Sequence, residues 1–220
     1  MPSKRTLAGL GIVLVTAVVS IVFAPELPEQ MAAHWSASGT ADGSMDRTTV
    51  LVGGPALVLG IVALFEIVPR IDPLGSNIRE FQSAYDAVAV LTAGFLAYTY
   101  GLVIAWNLGS EFDIIAALAP AMAVLYIGIG FLVERAERNW FVGVRTPWTL
   151  SSEQVWRDTH DLSATLFKLT GVLALGALVL PEFAIYFIVV PAVTVSLVAT
   201  VYSYIRYRQL GESGIEGAGS

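Results

Sequence analysis

Six long apolar runs divide this chain, at Leu7–Ala24, Val50–Val68, Asp86–Trp106, Asp113–Val133, Leu162–Leu180 and Phe183–Ile205. A helix needs about 20 apolar residues to cross the hydrocarbon layer, and each run is long enough to satisfy its backbone internally as it crosses. The pattern predicts an all-α polytopic membrane protein, a six-transmembrane-helix bundle. The short connections around Gly109–Phe112 and Pro181–Glu182 imply antiparallel hairpins. Residues 1–210 therefore read as a single six-helix membrane domain with two elaborated loops, 25–49 and 134–161. The Gly/Ser/Glu-rich tail, 211–220, is expected to be disordered. Lys4 and Arg5 precede the first run and Val22-Phe23-Ala24 resembles a cleavage site, but the run outlasts a secretory signal and Pro25 follows, so it reads as a retained span.

Composition agrees with that pattern. Charged residues make up 14% of the chain and apolar residues 55%, and charge is concentrated in the segments between runs. The absence of cysteine excludes disulfides and thiol-ligated metals. Arg and Lys retained on the inner side set the orientation of a polytopic protein. With the N-terminus inside, the inner segments hold Lys4, Arg5, Arg70, Arg79, Arg135, Arg138, Arg145, Arg157, Arg206 and Arg208, and the outer segments hold Arg47 alone. Both termini and the 134–161 loop are thus predicted to be cytoplasmic, in a protein of the cell membrane.

The chemistry concentrates in the two loops. The inner loop carries Asn139, Gly143-x-Arg145-Thr146-Pro147-Trp148, then Trp156 and His160. Gly143 supplies positive φ after the fourth span, and Pro147 pushes Thr146 into an extended conformation. Ser151 with Gln154 reads as an N-cap and capping box. From there a helix places Trp156 and His160 on one face, with Glu153, Arg157 and Asp161 as a charge ladder. Trp148 and Trp156 fit interfacial anchors. Arg145 suits a lipid phosphate, a carboxylate at the helix ends or a partner protein. In the outer loop, Pro28, Gly39 and Gly43 mark turns, and Ala33-His34-Trp35 suits a short extended piece. His34 with Glu29, Asp42 and Asp46 matches no known ligand spacing, so no metal is expected. Ser110 reads as the cap of the fourth helix, three residues before Asp113.

Two ionisable groups fall within the spans, Glu66 and Lys168, each near enough to the inner interface to snorkel or to pair with the other or with loop residues. The spans otherwise lack mid-bilayer charge, which argues against an ion-coupled transporter. Pro55, Pro120 and Pro191 can kink spans two, four and six. No nucleophile or catalytic constellation accompanies His160, so no enzyme activity and no cofactor are expected.

Together these loops resemble the SdpI family of membrane immunity and signalling proteins. The inner match is Asn139, Gly143-x-Arg145-Thr146-Pro147-Trp148-Thr149-Leu150, Trp156 and His160. The outer match, Leu27-Pro28 with His34 and Gly39…Asp42-Gly43, resembles that family's N-terminal domain of unknown function. The resemblance implies a multi-pass protein that protects its cell from a secreted toxic peptide and, when toxin-bound, holds a small DNA-binding repressor at the membrane. Besides the lipid bilayer, its implied partners are the peptide outside and the repressor inside, with no direct nucleic-acid binding. His34, Trp35, Gly39 and Asp42 would meet the peptide, and Arg145, Thr146, Trp148, Trp156 and His160 would face the repressor or support its docking site. This sequence carries Trp35-Ser36 after its histidine, where an aromatic and Asn are expected. The competing reading is a transporter or permease of unknown substrate.

Overall fold

The structure, a computed structural model, describes residues 3–110 and 112–217, by backbone alone from 212 onward. Its elements are α1 (Lys4–Phe23), β1 (Gln30–Trp35), β2 (Ala41–Asp46), α2 (Arg47–Ile71), α3 (Gly75–Ile78), α4 (Gln82–Asn107), α5 (Ile114–Arg135), α6 (Pro147–Ser151), α7 (Glu153–Ala174) and α8 (Ala184–Gly217). Among the described residues six helical stretches are long and apolar enough to span a membrane. Most of their ends lie a few residues beyond the apolar runs, because polar residues cap and lengthen the helices outside the hydrocarbon layer. The fifth differs most, running Glu153–Leu178, so the polar segment before its apolar run is helical too. The tail expected to be disordered overlaps the end of α8, and 218–220 lie outside the described residues.

The bundle has two halves. α1, α2 and α4 form one, α5, α7 and α8 the other, and α4 packs on α5 to join them. Between helices surrounded by lipid, association depends on close backbone approach rather than on expulsion of water. The α5–α7 seam shows this: Gly130 faces the Ala164 carbonyl and Gly171 the Ala123 carbonyl, at distances that leave no room for a Cβ. Ala119, Ala123, Ala174, Ala177 and Ala184 continue the seam as a small-residue cluster with Ile188. The largest cluster lies at the opposite end, where Val68, Ile78, Phe81, Tyr85, Leu132 and Trp156 meet.

Successive spans alternate direction, so the 25–49 segment and the 134–161 loop emerge on opposite faces. On the first face the chain forms an antiparallel hairpin pairing Gln30 with Asp46 and Trp35 with Ala41, with an irregularity around His34. Its turn is closed by Gly39 at φ 76°. Gly43 is no turn residue: it sits in β2 against the His34 Cβ, where the absent side chain lets the strands close at the bulge. Leu27 and Met31 are buried with Tyr100 and Ile104. Asn107, at the end of α4, donates from Nδ2 to the Ala32 carbonyl (3.0 Å) and accepts from its amide (2.8 Å), in the manner of a third strand. Arg47 donates to the Ala24 and Leu27 carbonyls, closing the end of α1.

Two local expectations are corrected, and one open alternative is resolved. Asp113, not Ser110, caps α5, its Oδ1 accepting from the Ile115 and Ala116 amides, because the helix starts one residue after it. Ser151 closes the one-turn helix α6, whose cap is Thr146, and Ser152 caps α7 by accepting from the Val155 amide. Glu66 and Lys168 do not pair with each other. Lys168 donates to Glu134 at 2.8 Å, whereas Glu66 belongs to the other half of the bundle with Arg5.

Candidate functional site: a clasp at one end of the bundle

Asn139 begins the site. It is fully buried and uses all its hydrogen-bonding capacity locally: Nδ2 donates to the Glu137 and Val142 carbonyls, and Oδ1 accepts from the Phe141 and Val142 amides. One side chain thereby takes the place of a helical turn and folds 137–142 into a tight bend. Asp72, at the end of α2, holds that bend from outside, its Oδ2 accepting from the Trp140 amide at 2.9 Å. Asn77 of α3 donates to the Arg138 carbonyl at 2.7 Å.

The bend ends at Gly143, with φ 106°. A Cβ there would strike the imidazole of His160, so both the backbone conformation and the space require glycine. The imidazole is fixed on both nitrogens: Nε2 accepts from the Val144 amide at 3.2 Å and Nδ1 faces the Trp156 carbonyl at 2.8 Å. An amide can only donate and a carbonyl can only accept, which assigns the Nδ1–H tautomer. Trp156 stacks on this ring, centroids 3.9 Å apart, and its Nε1 donates to the Ala136 carbonyl at 2.7 Å, satisfying the end of α5. Trp156 is 1% exposed. It is therefore a core residue and not an interfacial anchor, because the loop folds back over it.

Thr146 and Thr149 complete the clasp. Each hydroxyl serves the other's amide in a capping box around α6, with Pro147 in the first turn, and the Thr146 hydroxyl also lies 3.1 Å from that of Ser203 on α8. Trp148 packs half-buried on Tyr204, rings 5.0 Å apart. The expected Glu153–Arg157–Asp161 ladder gives way to a longer-range pair, Glu153 with Arg138 at 2.9 Å, while Arg206 of α8 meets Asp158. The motif residues thus tie the ends of α2, α5, α7 and α8 to one another. What it presents outward is Trp140 (51% exposed), Phe141 (39%) and the side chain of Arg145, whose Nη1 donates to the Trp140 carbonyl.

On the opposite face, His34 and Asp42 pair across the hairpin at 2.5 Å, both well exposed. Trp35 turns inward instead, edge-on to Trp106 at 5.5 Å. Asp46 meets Gln30 at the hairpin base. Sequence reasoning missed Asp72, Asn77, Asn107 and Thr149 as supports. The signals available were weak: Asp72-Pro73 marks a helix end, Thr149 lies within the recognised run, and nothing local distinguishes Asn77 or Asn107.

Comparison with known proteins matches both faces. Residues 135–203, from the end of α5 through most of α8, match the SdpI/YfhL protein family, and residues 11–59, which contain the hairpin, match a domain of unknown function, DUF1648. The chain is 23% identical to the immunity protein SdpI of Bacillus subtilis (strain 168) over 214 residues, covering 96% of this chain and 99% of that protein. No solved structure gives a significant match. The chain is thus similar to the SdpI/YfhL family through the segment that forms the clasp, and to DUF1648 through the segment that carries the hairpin.

Proposed function

We propose that this protein is an immunity protein of the cell membrane, protecting its cell from a secreted toxic peptide met by the hairpin face. The observation that carries this reading is that each face of an otherwise apolar bundle bears one built structure, and both lie in segments shared with an immunity protein. The concentration of Arg and Lys on the clasp side supports placing that side and both termini in the cytoplasm. A clasp whose buried Asn139, Thr146, Thr149 and His160 are internally satisfied suits a rigid docking platform rather than a catalytic centre. The exposed pair Trp140 and Phe141 is then its contact with a small DNA-binding repressor, since aromatic side chains on a fixed backbone serve well as binding anchors.

The reading is tested in a peptide-sensitive bacterial strain expressing the protein. Protection is expected with the native chain and is expected to fall at least tenfold, in surviving cells, with His34→Ala at unchanged membrane abundance. Full protection by that variant would remove the hairpin from the contact, and no protection by the native chain would overturn the immunity reading. Cross-linking in the same membranes is expected to capture a small helix-turn-helix protein, and the Trp140→Ala/Phe141→Ala variant is expected to lose it. Capture unaffected by the double substitution would exclude this surface.

A further inference from the structure

We propose that a cleft beside the clasp holds one anionic phospholipid, its phosphate against Arg145 and an acyl chain running between α5 and α8. These two helices meet toward the hairpin face, where the Tyr126 hydroxyl donates to the Ile188 carbonyl at 3.1 Å. Toward the clasp they part, leaving a cleft of about 340 Å³. Leu132 and Val133 of α5, Phe167 of α7, and Val195 and Ala199 of α8 form its walls, and Arg145 and Thr146 stand at its clasp end. Ser196 and Thr200 also border it, but their hydroxyls donate to the Ala192 and Ser196 carbonyls of their own helix, so the groove meets a ligand as an apolar surface.

The charge at the mouth selects the occupant. No carboxylate lines the cleft, and among the described residues Arg145 makes no ion pair. Its one intramolecular hydrogen bond uses Nη1 alone, leaving most of a five-donor guanidinium free. A cation beside hydrocarbon needs an anion. Trp148, three residues on and packed against Tyr204 of α8, is of the residue type that settles at headgroup depth, which puts the charge level with lipid phosphates while the groove runs toward the acyl chains. An amphiphile with a net negative head and an apolar tail matches both ends, as basic pockets between membrane helices do for acidic lipids.

Native mass spectrometry of the detergent-purified full chain, offered equal amounts of phosphatidylglycerol and phosphatidylcholine, tests this. About fivefold more phosphatidylglycerol should be retained, the effect of roughly one basic residue at an anionic surface. Arg145→Gln should abolish the preference and Arg145→Lys preserve it, the latter guarding against simple loss of the loop fold. Ser196→Phe, on the exposed side of α8, should reduce retention of both lipids by filling the groove. Equal retention by the native chain, a preference surviving in Arg145→Gln, or retention unchanged in Ser196→Phe would each overturn the site. Displacement of the lipid by millimolar inorganic phosphate would show an anion pocket instead.

Discussion

Trp156→Ala is expected to lower the melting temperature of the detergent-solubilised protein by about 10 °C, the largest effect of any single substitution in the clasp. Truncating a buried tryptophan costs about 3–5 kcal/mol, and in a chain of this size each kcal/mol moves the midpoint by roughly 2–4 °C. Three losses coincide at this position. The indole leaves a void among Ile78, Phe81, Tyr85 and Leu132. The Ala136 carbonyl loses its donor at the end of α5. His160 loses the ring it stacks on, and with it the support for the Gly143–Val144 turn. Trp156→Phe keeps a six-membered ring against His160 but removes the indole donor and part of the buried volume, so it should cost about 1–3 kcal/mol, less than the alanine substitution. Loss of intrinsic fluorescence signal and of a monodisperse elution profile on heating provides the measurement. A Trp156→Ala melting point within about 2 °C of native would show that the motif does not brace the bundle.

The same residue shows what sequence can and cannot reveal. The spacing of Trp156 and His160 at i, i+4 places them on one helical face, and they do stack. Spacing does not say which way that face turns. Trp near a membrane surface suits either an interfacial anchor or a core, and only the fold-back of 137–146, dictated by Asn139 and Gly143, decides for the core. The six spans were legible because hydrocarbon imposes one length and excludes charge. The hairpin was half legible: its extended piece showed in Ala33-His34-Trp35, but the clamp from Asn107, 75 residues away along the chain from Ala32, leaves no local trace. Long-range polar partners of this kind also escaped at Asp72 and Asn77, which brace the clasp from the α2–α4 connection. The intramembrane ionisable groups, Glu66 and Lys168, were found from sequence, yet their partners were not, since pairing depends on which helices become neighbours.

Arg5→Met is expected to lower the melting temperature by about 8 °C, with most of the loss restored by neutralising its partners. Arg5, 10% exposed at its side chain, reaches from the first turn of α1 to both other helices of its half. Its Nε and Nη2 donate to Glu66 Oε1 at 2.9 and 2.8 Å, and Nη1 donates to Asp86 Oδ1 at 2.6 Å. The Thr6 hydroxyl adds a further bond to Glu66 at 2.7 Å, and the guanidinium lies over the Tyr85 ring. Removing one member of a buried ion pair costs about 3–5 kcal/mol because the remaining charge is left uncompensated. Asp86 is a third exposed and Arg70 approaches Glu66 from the surface at 3.4 Å, so a value near 3 kcal/mol applies, or about 8 °C. If the cost arises from stranded carboxylates, Arg5→Met/Glu66→Gln/Asp86→Asn should return to within about 3 °C of native, since a neutral set of similar volume replaces a buried ionic set at little cost. A triple variant that melts as low as Arg5→Met would locate the loss in packing and hydrogen-bond geometry instead. A single variant as stable as native would show that α1 is held to α2 and α4 without this charge, by contacts such as Ser20 with Tyr100 at 2.5 Å near the hairpin face.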